Sequence, residues 1–409
     1  MSASMKRLLK HRNILLLQGK MGTFFCRFAS FLMDGGRTVH KINFNAGDAF
    51  FYCHKDMMTN YRGQLHEFDD FLKAVIAQYD IDAVVCFNDC RPYHMIAKDV
   101  CALLSVSFFV FEEGYLRPDY ITLEEHGING YSRLNPAMID SFDKANDRPK
   151  YTANRFWRLC VASIVYYLVV FLGGKKYPYY SHYRGLSISQ EMISWMRAPI
   201  RKAMRYLPDR LLQQRLIKHS SQQYFLVSLQ VHNDSQITHH SDYQDVTEFI
   251  EIVLKSFAVH APKHTQILFK HHPLDRGHRD YKAFIQALSD RYQIQGRAHY
   301  GCDMHLPSLI RHSIGMITVN STTGLQSIYH KKPTKVMGRA LYDIDGLTDQ
   351  KPLDEFWTDP VAPDHEFYLK FREYLIEQTQ LNGSFYGASP WALPYIHPQE
   401  VGVPPEKDS

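Results

Sequence analysis

Short runs rich in Val, Ile and Phe alternate with amphipathic helical stretches in both halves of the 409-residue chain. Between the halves lies a long stretch, apolar and then basic, that follows neither pattern. These observations predict an α/β protein of two facing Rossmann-like domains joined through a helical insertion, because strand-helix-strand alternation builds parallel sheets with right-handed crossovers. In chain order, NILLLQ (13–18), TVHKINF (38–44), AVVCFN (83–88) and SFFVFEE (107–113) read as buried parallel strands. Between the second and third, Phe68, Phe71, Leu72, Val75 and Ile76 recur at helical spacing. The middle carries the apolar run LCVASIVYYLVVFL (159–172) and then a helical segment, 197–218, with seven Lys/Arg and one acidic residue, Asp209. The alternation resumes with YFLVSLQ (224–230), TQILFKHHP (265–273), SIGMITVNS (313–321) and TKVMG (334–338), separated by helical patterns at 245–261 and 282–292. Near the end, Phe367, Phe371, Tyr374 and Leu375 share a helix face behind Asp364 as N-cap. The expected division is an N-terminal domain (1–135), a helical, partly membrane-associating insertion and connection (136–220), a C-terminal domain (221–350), a helical segment (351–395) and a polar, Pro-rich disordered tail (396–409).

With 45% hydrophobic and 22% charged residues, the composition excludes a disordered chain, a collagen-like repeat and a small disulfide scaffold. A net charge of +5 is too small for coating nucleic acid. The seven cysteines (26, 53, 86, 90, 101, 160 and 302) show no paired spacing and read as small buried hydrophobes in a reducing compartment, with no structural zinc. The N-terminus lacks a signal-peptide core with cleavage chemistry. The run at 159–172 is shorter than the ~20 residues that span a bilayer. It reads either as a buried core helix or as an interfacial one, the latter supported by flanking Arg155, Trp157, Arg158, Lys175 and Lys176. The basic segment is either a solvated face or an attractor of anionic lipid.

Ligands of open α/β sheets bind beyond the carboxyl ends of the strands, and four such ends carry unusual residues. After the first strand, Gln18-Gly19-Lys20-Met21-Gly22 permits a tight turn, either plain or in contact with ligand. Glu112-Glu113-Gly114 follows the largely apolar run SFFVF, and adjacent carboxylates on a strand point to opposite faces, so one can serve as nucleophile or general base. Lys270-His271-His272-Pro273 offers an ammonium and two imidazoles for a phosphate or carboxylate oxygen. Asn320-Ser321-Thr322-Thr323-Gly324 offers hydroxyls and backbone N–H groups at a helix start, where Ser321 reads as an N-cap, an anion contact or both. A carboxylate in one half and two anion cradles in the other suit an activated nucleotide donor. No G-x-S-x-G or H-E-x-x-H motif occurs, which disfavours hydrolase chemistry.

FEEGYLRPDYITLE with GINGYSR, NDCRPYH (88–94), YPYYSHYRG (177–185), KHHPLDRG (270–277) and VNSTTGLQS (319–327) together resemble the KpsS-type capsule polysaccharide synthesis proteins, from about residue 13 to about 345. The resemblance implies a GT-B glycosyltransferase of Gram-negative bacteria. It would transfer Kdo from CMP-Kdo, with retention, to a (lyso)phosphatidylglycerol lipid at the cytoplasmic face of the inner membrane, so starting the linker that carries the capsule. It places the nucleophile at Glu113, where an Asp is common, with Glu112 or a nearby His as base. The donor set is Lys270, His271, His272, Pro273, Asn320, Ser321, Thr322 (in place of a second Ser), Thr323, Gly324 and Gln230, in the C-terminal domain. The acceptor side would use Gly19, Gly22, Asn88, Asp89, Arg91 and Arg117, and Arg117 reads equally as a partner for the sugar carboxylate or a structural ion pair. No D-x-D motif is placed to hold a metal, so no metal or cofactor is expected. Expected partners are the inner-membrane surface and a capsule biosynthesis and export complex with a Kdo-elongating transferase, and no nucleic acid. The alternatives are a non-catalytic export adaptor and a transferase elongating an existing glycolipid.

Overall fold

The four apolar runs of the first half become β1 (Asn13–Leu16), β2 (Thr38–Asn43), β4 (Ala83–Phe87) and β5 (Ser107–Glu113), and a short strand outside the sequence reading, β3 (Met58–Asn60), joins them. They pair in parallel in the order β3-β2-β1-β4-β5. The computed structural model describes residues 1–143, 149–153, 156–182, 188–233 and 235–391. Alternate residues serve opposite faces of this sheet, as the pleat requires. Ile14, Leu16, Val85, Phe109 and Phe111 pack with the helix Phe24–Asp34 on one side. Leu15, Val84, Cys86 and Val110 pack with the helices Phe68–Gln78 and Pro92–Leu104 on the other. Both faces are covered, so β4 is buried at every position. A strand outside the sequence reading, β6 (Tyr120–Glu125), returns antiparallel on β5. The hairpin closes only because residue 114 is glycine: a Cβ there would lie 2.1 Å from the Tyr120 carbonyl oxygen.

The second half forms β7 (Tyr224–Ser228), β8 (Gln266–Lys270), β9 (Ala298–Gly301), β10 (Met316–Thr318) and β11 (Thr334–Val336), all parallel in the order β11-β10-β7-β8-β9. The helix Val246–His260 starts at Asp245, whose Oδ1 accepts from Thr247 N at 2.8 Å and Glu248 N at 3.0 Å. The helix His365–Gln378 is capped as expected, Asp364 Oδ1 accepting from Glu366 N at 2.8 Å. The chain then adds β12 (Gln380–Asn382) antiparallel to β6 of the first sheet.

The two compact units are therefore interleaved in sequence: 1–133, 144–185 and 372–409 in one, 134–143 and 186–371 in the other. The stretch expected as one insertion, 136–220, divides between them. The helix Phe156–Gly173 belongs to the first unit, where Tyr166 and Val170 close on Gly47. The helix Ile188–His219 belongs to the second, with Leu216 in its core. The 351–395 segment divides likewise at Arg372. The expected disordered tail, 396–409, lies outside the described residues.

Two readings are corrected. Cys26 and Cys53 form a disulfide with Cα atoms 5.5 Å apart, because the β1–helix–β2–helix path brings together residues separated by 27 positions. Local spacing carries no trace of such a pair. Cys86, Cys90, Cys101 and Cys302 are buried thiols outside the disulfide, as expected of small hydrophobes. In the basic segment, Arg201 and Arg205 turn inward. Arg201 Nη1 donates to Arg276 O at 2.8 Å, and Arg205 pairs with Asp280 at 2.6 Å, so neither is part of a solvated face.

Candidate functional site

In each sheet the strand order reverses once, between β1 and β4 in the first and between β7 and β10 in the second. Such switch points open a crevice at the carboxyl edge where ligands bind.

In the first unit, β1 runs into Gly19 and Lys20. Gly19 lies against Phe25, where a Cβ would come 2.7 Å from the ring, and Gly22 adopts φ +115°. Arg91, buried beyond β4, donates to Gly19 O at 3.2 Å and ties the two strand exits together. Asn88 sits in the left-handed region (φ 63°). From there its Nδ2 donates to Glu112 Oε2 at 3.1 Å, while Glu112 Oε1 accepts from Glu113 N at 2.9 Å. Burial pushes the Glu112 carboxyl up to about 7, against the opposing pull of Lys20, Arg117 and the Asn88 bond. Its neighbour has a different setting. The Glu113 carboxylate pairs with the Lys20 ammonium, which also lies over the rings of Phe87 (5.0 Å) and Phe385 (5.3 Å). Two consecutive carboxyls thus stand in contrasting environments, one ion-paired and one desolvated. Asp89 is turned inward, accepting from Ile128 N at 3.1 Å, with burial raising its pKa. Arg117 is exposed and donates through Nε to Gly114 O at 3.2 Å.

A second polar cluster borders Gly19 and escaped the sequence reading. Gln18 Nε2 donates to Asp48 Oδ2 (3.1 Å) and to the hydroxyls of Tyr166 (3.0 Å) and Tyr180 (3.1 Å); Asn45 Nδ2 donates to Tyr166 OH at 2.7 Å. Lys41, buried nearby, donates to the carbonyls of Leu17 and Ile42, and desolvation lowers its pKa to about 8. The legible signal was a lysine inside an otherwise buried strand.

In the second unit the switch point is bridged by Gln230, whose Oε1 accepts from Asn320 N at 3.3 Å, and by Thr323 Oγ1 donating to Ser228 Oγ at 3.1 Å. The expected donor residues fall into two groups. Several are committed to the fold. Lys270 is buried, with Nζ on the carbonyls of Cys302 (3.2 Å) and His271 (3.4 Å), and burial lowers its pKa. His271 is buried between Asp275 Oδ2 (3.0 Å) and Tyr300 OH (2.9 Å), so both its nitrogens are used internally. His272 Nδ1 accepts from Leu274 N at 3.2 Å. The backbone N–H groups expected to be free at 320–324 are mostly taken: Thr323 N by Ser321 Oγ, Gly324 N by Ser321 O, and Asn320 N by Gln230. Gly324 is fitted against Tyr342, whose hydroxyl would lie 2.4 Å from a Cβ. Partly exposed at this edge are Ser321, Thr322 and Thr323, with Pro273 exposed.

A histidine absent from the sequence reading fills the gap. His232, four residues past β7, sets Nδ1 2.5 Å from Asp275 Oδ1, with 14% of its side chain exposed. Two imidazoles hold the buried Asp275 carboxyl well below its ordinary range. Nδ1 against a carboxylate must carry the proton, so Nε2 is the atom His232 offers outward. A lone His in a loop gives no signal; its partner Asp275 comes from another strand's exit.

The family model described as "Capsule polysaccharide biosynthesis protein" matches residues 82–386. Capsule polysaccharide modification protein LipB of Neisseria meningitidis serogroup B is 42% identical over 383 residues, 91% of either chain. Capsule polysaccharide export protein KpsS of Escherichia coli is 40% identical over 391 residues, 93% of this chain and 98% of that one. Among solved structures, Thermosulfurimonas dismutans KpsC, a beta Kdo 2,7 transferase, aligns over 87% of this chain and 88% of its own at 12% identity with a TM-score of 0.43.

Proposed function

The chain belongs to the family of capsule polysaccharide biosynthesis proteins, and within it we propose that this protein transfers Kdo from CMP-Kdo to a (lyso)phosphatidylglycerol acceptor with retention, starting the poly-Kdo linker of the capsule. The observation that carries the reading is the Glu112–Glu113 pair at the carboxyl end of β5. Lys20 ion-pairs the Glu113 carboxylate, the form in which a carboxyl attacks as a nucleophile, while the Glu112 carboxyl, pushed to about 7, exchanges a proton near neutrality. In the first displacement the Glu113 carboxylate bonds to the anomeric carbon of Kdo. The carbon–oxygen bond to phosphate breaks and its electron pair leaves on CMP. In the second, the lipid hydroxyl attacks that carbon, Glu112 takes its proton and Glu113 is released. Two inversions give retention.

The donor phosphate is assigned to His232, Ser321 and Thr322 in the second unit, since Lys270 and His271 are occupied by the fold. Charge on the leaving phosphate is met by these groups, and the proposal calls for no metal or cofactor. The protein is proposed to act as a peripheral protein on the inner face of the cytoplasmic membrane, alongside the capsule assembly machinery and a Kdo-elongating transferase. Support comes from Phe156–Lys176, a 21-residue helical stretch of mean hydropathy 1.9 with 17% of its most apolar window buried.

The name of the Escherichia coli relative, an export protein, favours a second reading as a non-catalytic adaptor. Incubation of the purified chain with CMP-Kdo and fluorescent lysophosphatidylglycerol separates the readings. CMP release with a one-sugar lipid product is the expected result. Product only from a pre-glycosylated lipid means elongation, and no product with capsule-complex binding intact means the adaptor.

A further inference from the structure

The helix Ile188–His219 presents two opposite faces. One is docked on the second unit through contacts spaced along its length. Ser194 Oγ meets His278 Nε2 at 2.8 Å, Arg201 and Arg205 hold the 276–280 loop, and Asp209 Oδ2 accepts from Cys302 N at 2.8 Å. Gln213 Oε1 accepts from His305 N at 2.9 Å, and Leu216 enters the core. The other face carries Ile193, Met196, Ile200, Met204, Leu207 and Leu211, at spacings of three or four residues, all between 42% and 72% exposed. At 1.5 Å rise per residue this is a continuous apolar stripe ~27 Å long. Exposed apolar stripes of this kind mark an interaction surface.

The charge around the stripe selects the occupant. Arg197, Arg210, Arg215 and Lys218 are exposed on this helix. Its one acidic residue between 192 and 219, Asp209, is buried on the docked face. An apolar stripe bordered only by cations fits the headgroup–acyl boundary of an anionic bilayer, where both signals act together. We propose that this face of the helix lies in the surface of a membrane rich in anionic phospholipid, with the stripe inserted among the acyl chains. The proposal deepens the reading of a lipid acceptor and rests on it. It locates the attraction in the outward-facing cations and the insertion in the stripe, leaving Arg201 and Arg205 to hold the helix on its domain.

The test uses full-length protein and two vesicle types, phosphatidylglycerol mixed with phosphatidylcholine and phosphatidylcholine alone. Wild type should sediment with the anionic vesicles and much less with the neutral ones. Met204→Asp with Leu207→Asp, both at exposed positions, should weaken anionic binding at least ~10-fold, since two apolar side chains no longer enter the acyl region. Met204→Gln with Leu207→Gln should fall between, with circular dichroism unchanged in both. In Leu207→Trp, brominated acyl chains should quench the new tryptophan beyond the parental level. Wild-type binding by the double Asp variant, equal binding to both vesicle types, or no added quenching overturns the proposal. So does a self-association that the same substitutions abolish without any vesicle binding. Transfer to a short-chain soluble acceptor separates the two claims. Turnover there without vesicle binding sinks the membrane surface alone, and vesicle binding through the stripe without turnover on any acceptor sinks the proposed activity alone.

Discussion

Replacing Glu112 by Gln should change stability in a pH-dependent way that the buried carboxyl alone dictates. Burial raises Glu112 from its ordinary 4.5 to about 7. Between those values the native protein holds a proton that the unfolded chain has released, so stability falls as pH rises through the window and levels off above it. A difference of this size is worth about 3 kcal/mol. The variant cannot ionise, and its single amide oxygen can keep one of the two bonds that the Glu112 oxygens accept, from Glu113 N or from Asn88 Nδ2. On top of that pH-independent loss, the balance should shift toward the variant by up to about 3 kcal/mol between pH 5 and pH 8. Glu124, which burial also raises to about 7, contributes the same background to both and cancels in the difference. Urea unfolding read by pulse hydrogen exchange of β5 peptides at several pH values isolates the first unit. A wild-type–variant difference that stays constant from pH 5 to 8, or one that shifts toward the wild type, would refute the assignment of Glu112 as a desolvated carboxyl.

Glu113→Gln should lower transfer by ~10³-fold or more while CMP binding by calorimetry is retained; near-normal turnover would remove Glu113 as nucleophile. Lys20→Met takes away the cation that holds Glu112 down, so the rise of turnover with pH should shift to higher pH, and an unshifted profile would separate Lys20 from this pair. Tyr166→Phe strands Gln18 and Asn45 in a buried network and should cost ~1–3 kcal/mol. Faster exchange in 156–173 is the expected sign, and unchanged exchange would mean the hydroxyl does not anchor that helix. Alkylation of denatured, unreduced protein should label five cysteines and spare Cys26 and Cys53. Cys53→Ser should then cost about 3.5 kcal/mol, from the entropy of a 27-residue loop; full labelling of all seven would show the bond does not form.

Local patterns carried much of this protein. The β1, β2, β4, β5, β7 and β8 strands were legible because two covered faces demand unbroken apolar runs, and the capped helix His365–Gln378 was legible from Asp364 and its periodic face. The carboxyl pair and the polar strand exits were legible because such residues after a buried run are unusual. Tertiary structure decided what each of them does. Glu112 and Glu113 are the same residue type in adjacent positions, and only the parallel pairing of β1, β4 and β5 gives Glu113 the Lys20 partner and Glu112 the Asn88 bond and a desolvated site. Lys270 and His271 look like ligands in the sequence, yet the carbonyls of Cys302 and His271 satisfy the first and the Asp275 carboxylate and Tyr300 hydroxyl the second, while the same Asp275 orients the unremarked His232. The helix at 188–219 reads as basic along the chain, but docking turns two of its arginines and Asp209 inward and leaves an apolar stripe outward. The physical reason is common to all three cases. Periodicity and composition are local properties of the chain, whereas the partner that neutralises, desolvates or covers a side chain comes from tens to hundreds of residues away and is supplied only by the fold.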